Sequence, residues 1–168
     1  GLFYALKEYF NGVSWMEWSD NDIRLRKPEA VAKYSELLAD QINYFIFEQF
    51  LFFRQWESLH EYAREQGIQL MGDMPIYVAM DSADVWSDPK SFQLDEKNVP
   101  VEVAGVPPDY FSEDGQLWGN PLYNWQKMKN DGYSWWLKRL SAAFDLYDVV
   151  RIDHFRAFSS YWTVPTDA

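Results

Sequence analysis

Twice in this chain a helical stretch gives way to a short apolar strand that itself ends in charge. In the first unit, helical patterning begins near Pro28, a residue suited to the first helical turn, and reaches Gly67, which suits a left-handed helix end. The segment 68–78 then reads as a strand near 69–72 that runs into a loop. In the second unit, Trp136, Leu140, Phe144 and Tyr147 recur at helical steps, and Asp148-Val149-Val150-Arg151-Ile152-Asp153 follows as a strand. Helix-then-strand units of this kind build α/β folds, either an α/β barrel or an open parallel sheet. Periodicity alone leaves both open. Within the first helical stretch a break is expected near Ala39-Asp40, with Asp40 capping a second helix. Ile42, Ile46, Phe53, Trp56, Leu59 and Ala63 form an apolar stripe along it.

Charge narrows the function. Lys and Arg number 15 against 26 Asp and Glu, a formal charge of -11, which repels phosphate backbones and anionic headgroups and so argues against nucleic-acid and membrane partners. The most apolar run, 42–56, is interrupted by Asn43, Glu48, Gln49, Arg54 and Gln55 and falls short of the ~20 residues of a membrane helix. A hydrophobic share of 48% excludes a disordered acidic tail, and 168 residues suffice for one domain. With no cysteine there are no disulfides, thiolate metal sites or thiol catalysis; a reducing compartment is compatible, and a cytoplasmic location is the expectation. The chain lacks an initiator Met, so it is expected to begin inside a longer protein. No Gly-rich phosphate loop, Gly-x-Ser-x-Gly elbow or His-Glu-x-x-His helix occurs, and neither a cofactor nor a metal is expected. His60, among charged neighbours, reads as a surface or half-buried residue, and Glu17, Asp20 and Asp22 as solvated surface.

Three stretches carry possible chemistry. In Arg151-Ile152-Asp153-His154-Phe155-Arg156, strand alternation sends Arg151 and Asp153 to one side. An arginine there favours the ionised carboxylate that a nucleophile needs, although a purely structural ion pair has the same spacing. The second lies in an irregular connection spanning 81–125. Its part 103–125 holds Asp109, Tyr110, Phe111, Trp118, Gly119 and Asn120, aromatics and polar groups that together match the apolar face and hydroxyl rim of a sugar. A loop pinned by its own aromatics fits equally. The 19% aromatic share suits a thick core or a stacking surface. The third stretch, 72–86, places Asp73 and Asp81 after apolar segments, where each suits hydroxyl binding or a turn cap; Asp84 reads as a cap or solvated residue.

Taken together and in this order, Gly72–Trp86, Val103–Trp125 and Val150–Phe158 resemble the amylomaltases, the 4-α-glucanotransferases of glycoside hydrolase family 77, over roughly Tyr9 to Pro165. The resemblance implies a (β/α)₈ barrel of the α-amylase clan, of which residues 1–168 would be an internal part with about two strands, the third and fourth, helices and a long inserted loop. It implies Asp153 as nucleophile, Arg151 as its supporting arginine, and Asp81 as a ligand of sugar hydroxyls. Asp109, Tyr110 and Phe111 correspond to a mobile loop over bound glucan, Trp118 to an acceptor-side stacking residue, and His154 to the site lining; Asn120, from the second stretch, is expected to bind substrate as well. Ala157 stands where similar motifs most often have glycine, a difference of one methyl group. The Glu-Asp-Leu-Gly and Thr-His-Asp motifs that supply the acid/base and a further aspartate are absent from the 15 residues after Asp153, so this stretch alone is expected to be inactive. The implied partner is an α-1,4-glucan. An α-amylase-like hydrolase and a non-catalytic glucan-binding module are the alternatives.

Overall fold

The computed structural model describes residues 1–110 and 112–166. Four helices lead the chain: α1 (Leu2–Tyr9), α2 (Asn21–Arg24), α3 (Pro28–Leu37) and α4 (Ala39–Glu65). Strand β1 (Met71–Met74) is followed by α5 (Ala83–Ser87), β2 (Glu102–Val106) and β3 (Gln116–Pro121). Then come α6 (Trp125–Asn130), α7 (Ser134–Leu146), β4 (Val149–Ile152) and β5 (Trp162–Pro165). No helix among the described residues is long and apolar enough to cross a membrane.

The two helix-to-strand units produce a mixed α/β architecture in which β1 and β4 pair in parallel, Asp73 opposite Arg151. Gly67 ends the first helical stretch at φ 72, where a side chain would be strained. The strand starts two residues later than the spacing predicts, because the backbone of Leu70 is engaged at the entry to both strands (Asp148 N–H to Leu70 O, 3.0 Å). The helix break falls at Leu38, and Asp40 lies in the first turn of α4 without acting as its cap. The apolar stripe of α4 is largely exposed: Ile46, Phe53 and Leu59 are at least half accessible, and only Ala63 of the six is buried.

The irregular connection at 81–125 is more ordered than its composition predicts. β2 pairs antiparallel with both β3 and β5, giving the order β3-β2-β5. A register shift between Val103 and Gly105 interrupts the β2–β3 ladder, and β5, which follows β4 in sequence, completes this sheet. At Gly105 an added Cβ would lie 2.8 Å from the Gln116 carbonyl oxygen, so a side chain would push the strands apart.

Two clusters of rings anchor the core. Phe3, Trp18 and Trp86 form one cluster with centroids 5.6–6.0 Å apart. Tyr123, 1% exposed, is the hub of a second, touching Tyr77, Phe92, Trp125, Trp135 and Trp136 at 5.2–5.9 Å. Asp20 is half-buried and not simply solvated. It caps α2 through the Asp22 and Ile23 amides and accepts from the Tyr34 hydroxyl at 3.0 Å. Burial, then this bond, pushes the Tyr34 phenol up to about 12.

Candidate active site

The parallel pair ends in three charged side chains on one face. Side chains alternate along a strand and parallel partners lie side by side, so Asp73 of β1 stands beside Arg151 of β4, with Asp153 two residues on. Arg151 bridges both carboxylates: Nη1 donates to Asp73 Oδ2 at 2.7 Å, and Nη2 to Asp153 Oδ1 at 2.6 Å. A planar guanidinium fork suits two such partners at once. Asp153 is fixed at its backbone as well, its N–H donating to Met74 O at 2.9 Å. Its other carboxylate oxygen, Oδ2, has no hydrogen-bond or ion-pair partner among the described residues. All three side chains are more than half exposed, so the cluster opens to solvent. A rigidly held carboxylate with one oxygen neutralised and one free is equipped for nucleophilic attack or for accepting a proton.

The chain after β1 forms a wall beside this cluster, and side chains from other elements hold its carbonyls. Arg139 of α7 donates to Pro75 O (2.6 Å) and Ile76 O (3.0 Å), and the Tyr123 hydroxyl also reaches Ile76 O (2.6 Å). Asn120 Nδ2 donates to Val78 O at 2.9 Å, and Trp15 Nε1 to Met80 O at 2.7 Å. Asp81 ends the wall. Lys7 Nζ contacts its Oδ2 at 2.7 Å while also donating to Gly12 O and Val13 O, and the Trp15 amide donates to Oδ1 at 3.2 Å. Both Asp81 oxygens therefore already have protein partners, and the Asn120 amide nitrogen is spent on the wall.

A second group gathers around His154. This residue takes φ 50, a left-handed turn that redirects the chain into a 3₁₀ turn at Phe155–Phe158. Its ring meets Trp118 edge-on, centroids 5.0 Å apart, and Trp118 also touches Tyr77 at 6.3 Å. Trp118 keeps 37% of its surface accessible. A cavity of about 380 Å³ beside them is lined by Gly105, Asp109, His154, Arg156, Tyr161 and Trp162. Asp109 accepts from the Ser112 amide at 3.0 Å, and Tyr110 is fully exposed. Phe111 lies outside the described residues. The structure thus brings Arg151 together with Asp153, and His154 and Asp109 to one cavity with Trp118 packed on His154, while Asp81 and Asn120 are engaged in the wall.

Sequence reasoning undervalued two residues. Asp73 was visible at a strand end, but only the β1–β4 register shows that it shares Arg151 with Asp153. Lys7 belongs to no motif, and nothing in its neighbourhood points 74 positions along the chain to Asp81. Among the described residues no group of three or more His, Cys, Asp or Glu is placed to hold a metal ion.

Residues 1–168 match a glycoside hydrolase family 77 model described as 4-alpha-glucanotransferase. The 4-alpha-glucanotransferase of Streptococcus pneumoniae serotype 4 is 51% identical over 163 residues, covering 97% of this chain and 32% of that protein. The chloroplastic/amyloplastic 4-alpha-glucanotransferase of Arabidopsis thaliana is 51% identical over 166 residues, covering 99% of this chain and 29% of its own length. Among solved structures, the amylomaltase from Streptococcus agalactiae in complex with acarbose superposes with a TM-score of 0.96 at 47% identity, over 99% of this chain and 34% of that one. The chain spans about a third of the length of the curated relatives it matches.

Proposed function

Since the chain belongs to the 4-alpha-glucanotransferase family, glycoside hydrolase family 77, we propose that it forms part of an enzyme that moves segments of α-1,4-glucans onto glucose or glucan acceptors. On this reading β1 and β4 are neighbouring strands, the third and fourth, of a (β/α)₈ barrel, whose catalytic groups sit at the C-terminal ends of the strands. The observation that carries it is the Arg151 fork between Asp73 and Asp153, which leaves Asp153 Oδ2 without a partner among the described residues at such an end.

Asp153 Oδ2 attacks the anomeric carbon while a second carboxyl group, which the resemblance places after the nucleophile in sequence, protonates the leaving glycosidic oxygen. Attack inverts the centre and gives a glycosyl ester. The 4-hydroxyl of an acceptor glucan, deprotonated by the same carboxylate, then displaces Asp153 and inverts it again, so configuration is retained. Arg151 holds Oδ1 and so orients Oδ2. Transfer prevails over hydrolysis when an acceptor is held near the ester at high effective concentration. Trp118, packed on His154, with Tyr110 next to Asp109 in sequence and Asp109 and His154 lining one cavity, is proposed to provide that hold. The acarbose bound by the Streptococcus agalactiae enzyme supports an oligosaccharide ligand for this one. The proposed compartment is the cytoplasm, where a cysteine-free chain loses nothing in a reducing medium.

The test is the full-length enzyme on maltotriose. Wild type should release glucose with longer maltodextrins, and Asp153→Asn, nearly isosteric but not nucleophilic, should abolish both while melting near wild type. Glucose and maltose without longer products would mean a hydrolase. Retained transfer in the variant would make Asp153 structural.

A further inference from the structure

At the opposite end of the strand pair stands a carboxylate that the mechanism does not use. Asp148 precedes β4 by one residue, and its side chain is 12% exposed. Its Oδ2 accepts from the Leu70 amide at 2.9 Å and contacts His60 Nε2 at 2.8 Å, while Oδ1 takes Arg64 Nε at 2.8 Å. Leu70 O returns the contact, accepting from the amides of Asp148 and Val149 at 3.0 and 3.2 Å. His60 is 6% exposed, buried where the sequence predicts a surface or half-buried residue. It and Arg64 lie one helical turn apart on α4 and converge on the same carboxylate. The Leu70 amide, then His60 and Arg64, hold the Asp148 carboxyl well below the usual carboxylate range.

We propose that Asp148, held by His60 and Arg64, is a register lock that positions Asp153; its link to catalysis rests on the transferase reading. The β1–β4 ladder has only four pairs. A slip of one residue would turn Arg151 and Asp153 to the opposite face and separate Arg151 from Asp73. Asp148 excludes the slip because its side chain and its backbone both bind Leu70, so the residue before one strand is tied to the residue before the other. The lock and the nucleophile are five residues apart, about 17 Å at strand rise, so Asp148 touches no substrate and acts through β4 alone. Asparagine cannot replace it, since its NH₂ would face donors that now meet an oxygen.

The experiment compares Asp148→Asn, Arg64→Met and the exposed control Asp145→Asn in the full-length enzyme, reading kcat, KM and amide exchange by peptide. Asp148→Asn should lower kcat ten- to a hundredfold, the range expected for a displaced reacting group, with KM within about twofold on the same argument. Amides of 149–153 should exchange at least about tenfold faster while those of β2 do not change. Arg64→Met keeps the His60 and Leu70 contacts and should move both readouts in the same direction by less; it decides the matter if Asp148→Asn does not fold. Asp145→Asn should match wild type. Lowered stability with unchanged kcat, or lower kcat without faster exchange at 149–153, overturns the lock. If wild type transfers no glucan, the transferase reading fails, and the exchange data still judge the lock.

Discussion

Gly72→Ala should destabilise the protein by about 2 kcal/mol, within the usual range for overpacking. A methyl group built on Gly72 would overlap Tyr147 Cδ2 and lie 2.6 Å from Cε2 and 2.7 Å from Cγ, so the ring would have to retreat by about 1.5 Å to reach ordinary carbon contact. It has little room. Trp56 packs edge-on against it at 5.7 Å and is itself anchored by its indole N–H on Leu146 O at 2.8 Å. Gly72 has no positive φ, so alanine fits the backbone and by chain entropy alone would stabilise by about 0.4–1 kcal/mol. A loss of stability therefore isolates the clash. Removing the ring should relieve it: in the double variant with Tyr147→Ala, stability should exceed the sum of the single effects by about 1 kcal/mol or more. Urea denaturation of the four proteins measures this, with a midpoint drop of about 1 M for Gly72→Ala. A Gly72→Ala protein within about 0.5 kcal/mol of wild type, or strict additivity in the double variant, would refute the argument.

Trp118→Ala should lower glucan transfer several-fold to tenfold, as expected from the loss of an aromatic contact of about 0.5–1.5 kcal/mol, while hydrolysis falls less; an unchanged product ratio on maltotriose would remove Trp118 from the acceptor site. Tyr123→Phe loses the bond to Ile76 O and the one received from Arg139, and should cost about 1–3 kcal/mol in chemical denaturation. Asp148 adds stability because its carboxyl is more acidic folded than unfolded, so the contribution is complete above an unfolded value of about 4 and is lost as pH falls through the lower folded value. The stability gap between wild type and Asp148→Asn should accordingly be wide at neutral pH and narrow below about pH 4, as unfolding curves across pH can show.

The parallel pair was legible because helix periodicity, Gly67 and a charged strand end agree at every level, and agreement between levels is what marks a foldable unit. The antiparallel sheet was not. β2 and β3 contain Gly105, Gly119 and Pro121, the register shift at 103–105 spoils their alternation, and the strand that completes the sheet, β5, lies about sixty positions from β2. The stripe on α4 was correctly periodic, yet periodicity states which face is apolar and not how much of it these residues cover. Arg151 and Asp153 could be paired from spacing two apart. Asp73 could not join them without knowing the register, and Asp148 with His60 and Arg64 required contacts across more than eighty positions. Local chemistry was readable; long-range partnership was not.

The wall from Pro75 to Met80 is gripped by its carbonyls, and this divides its tolerance to substitution unevenly. Every amino acid carries a carbonyl, so an exchange at Val78 leaves the bond from Asn120 available, and one at Met80 leaves the bond from Trp15. The obligation falls on the residues that reach in: Arg139, Tyr123, Asn120 and Trp15 each need a donor at one distance, and no other side chain reproduces the double reach of Arg139 to Pro75 and Ile76. A designer reshaping the surface beside Asp153 therefore has freedom at the exposed positions of the wall itself. The residues to leave untouched are the four that reach in from other elements.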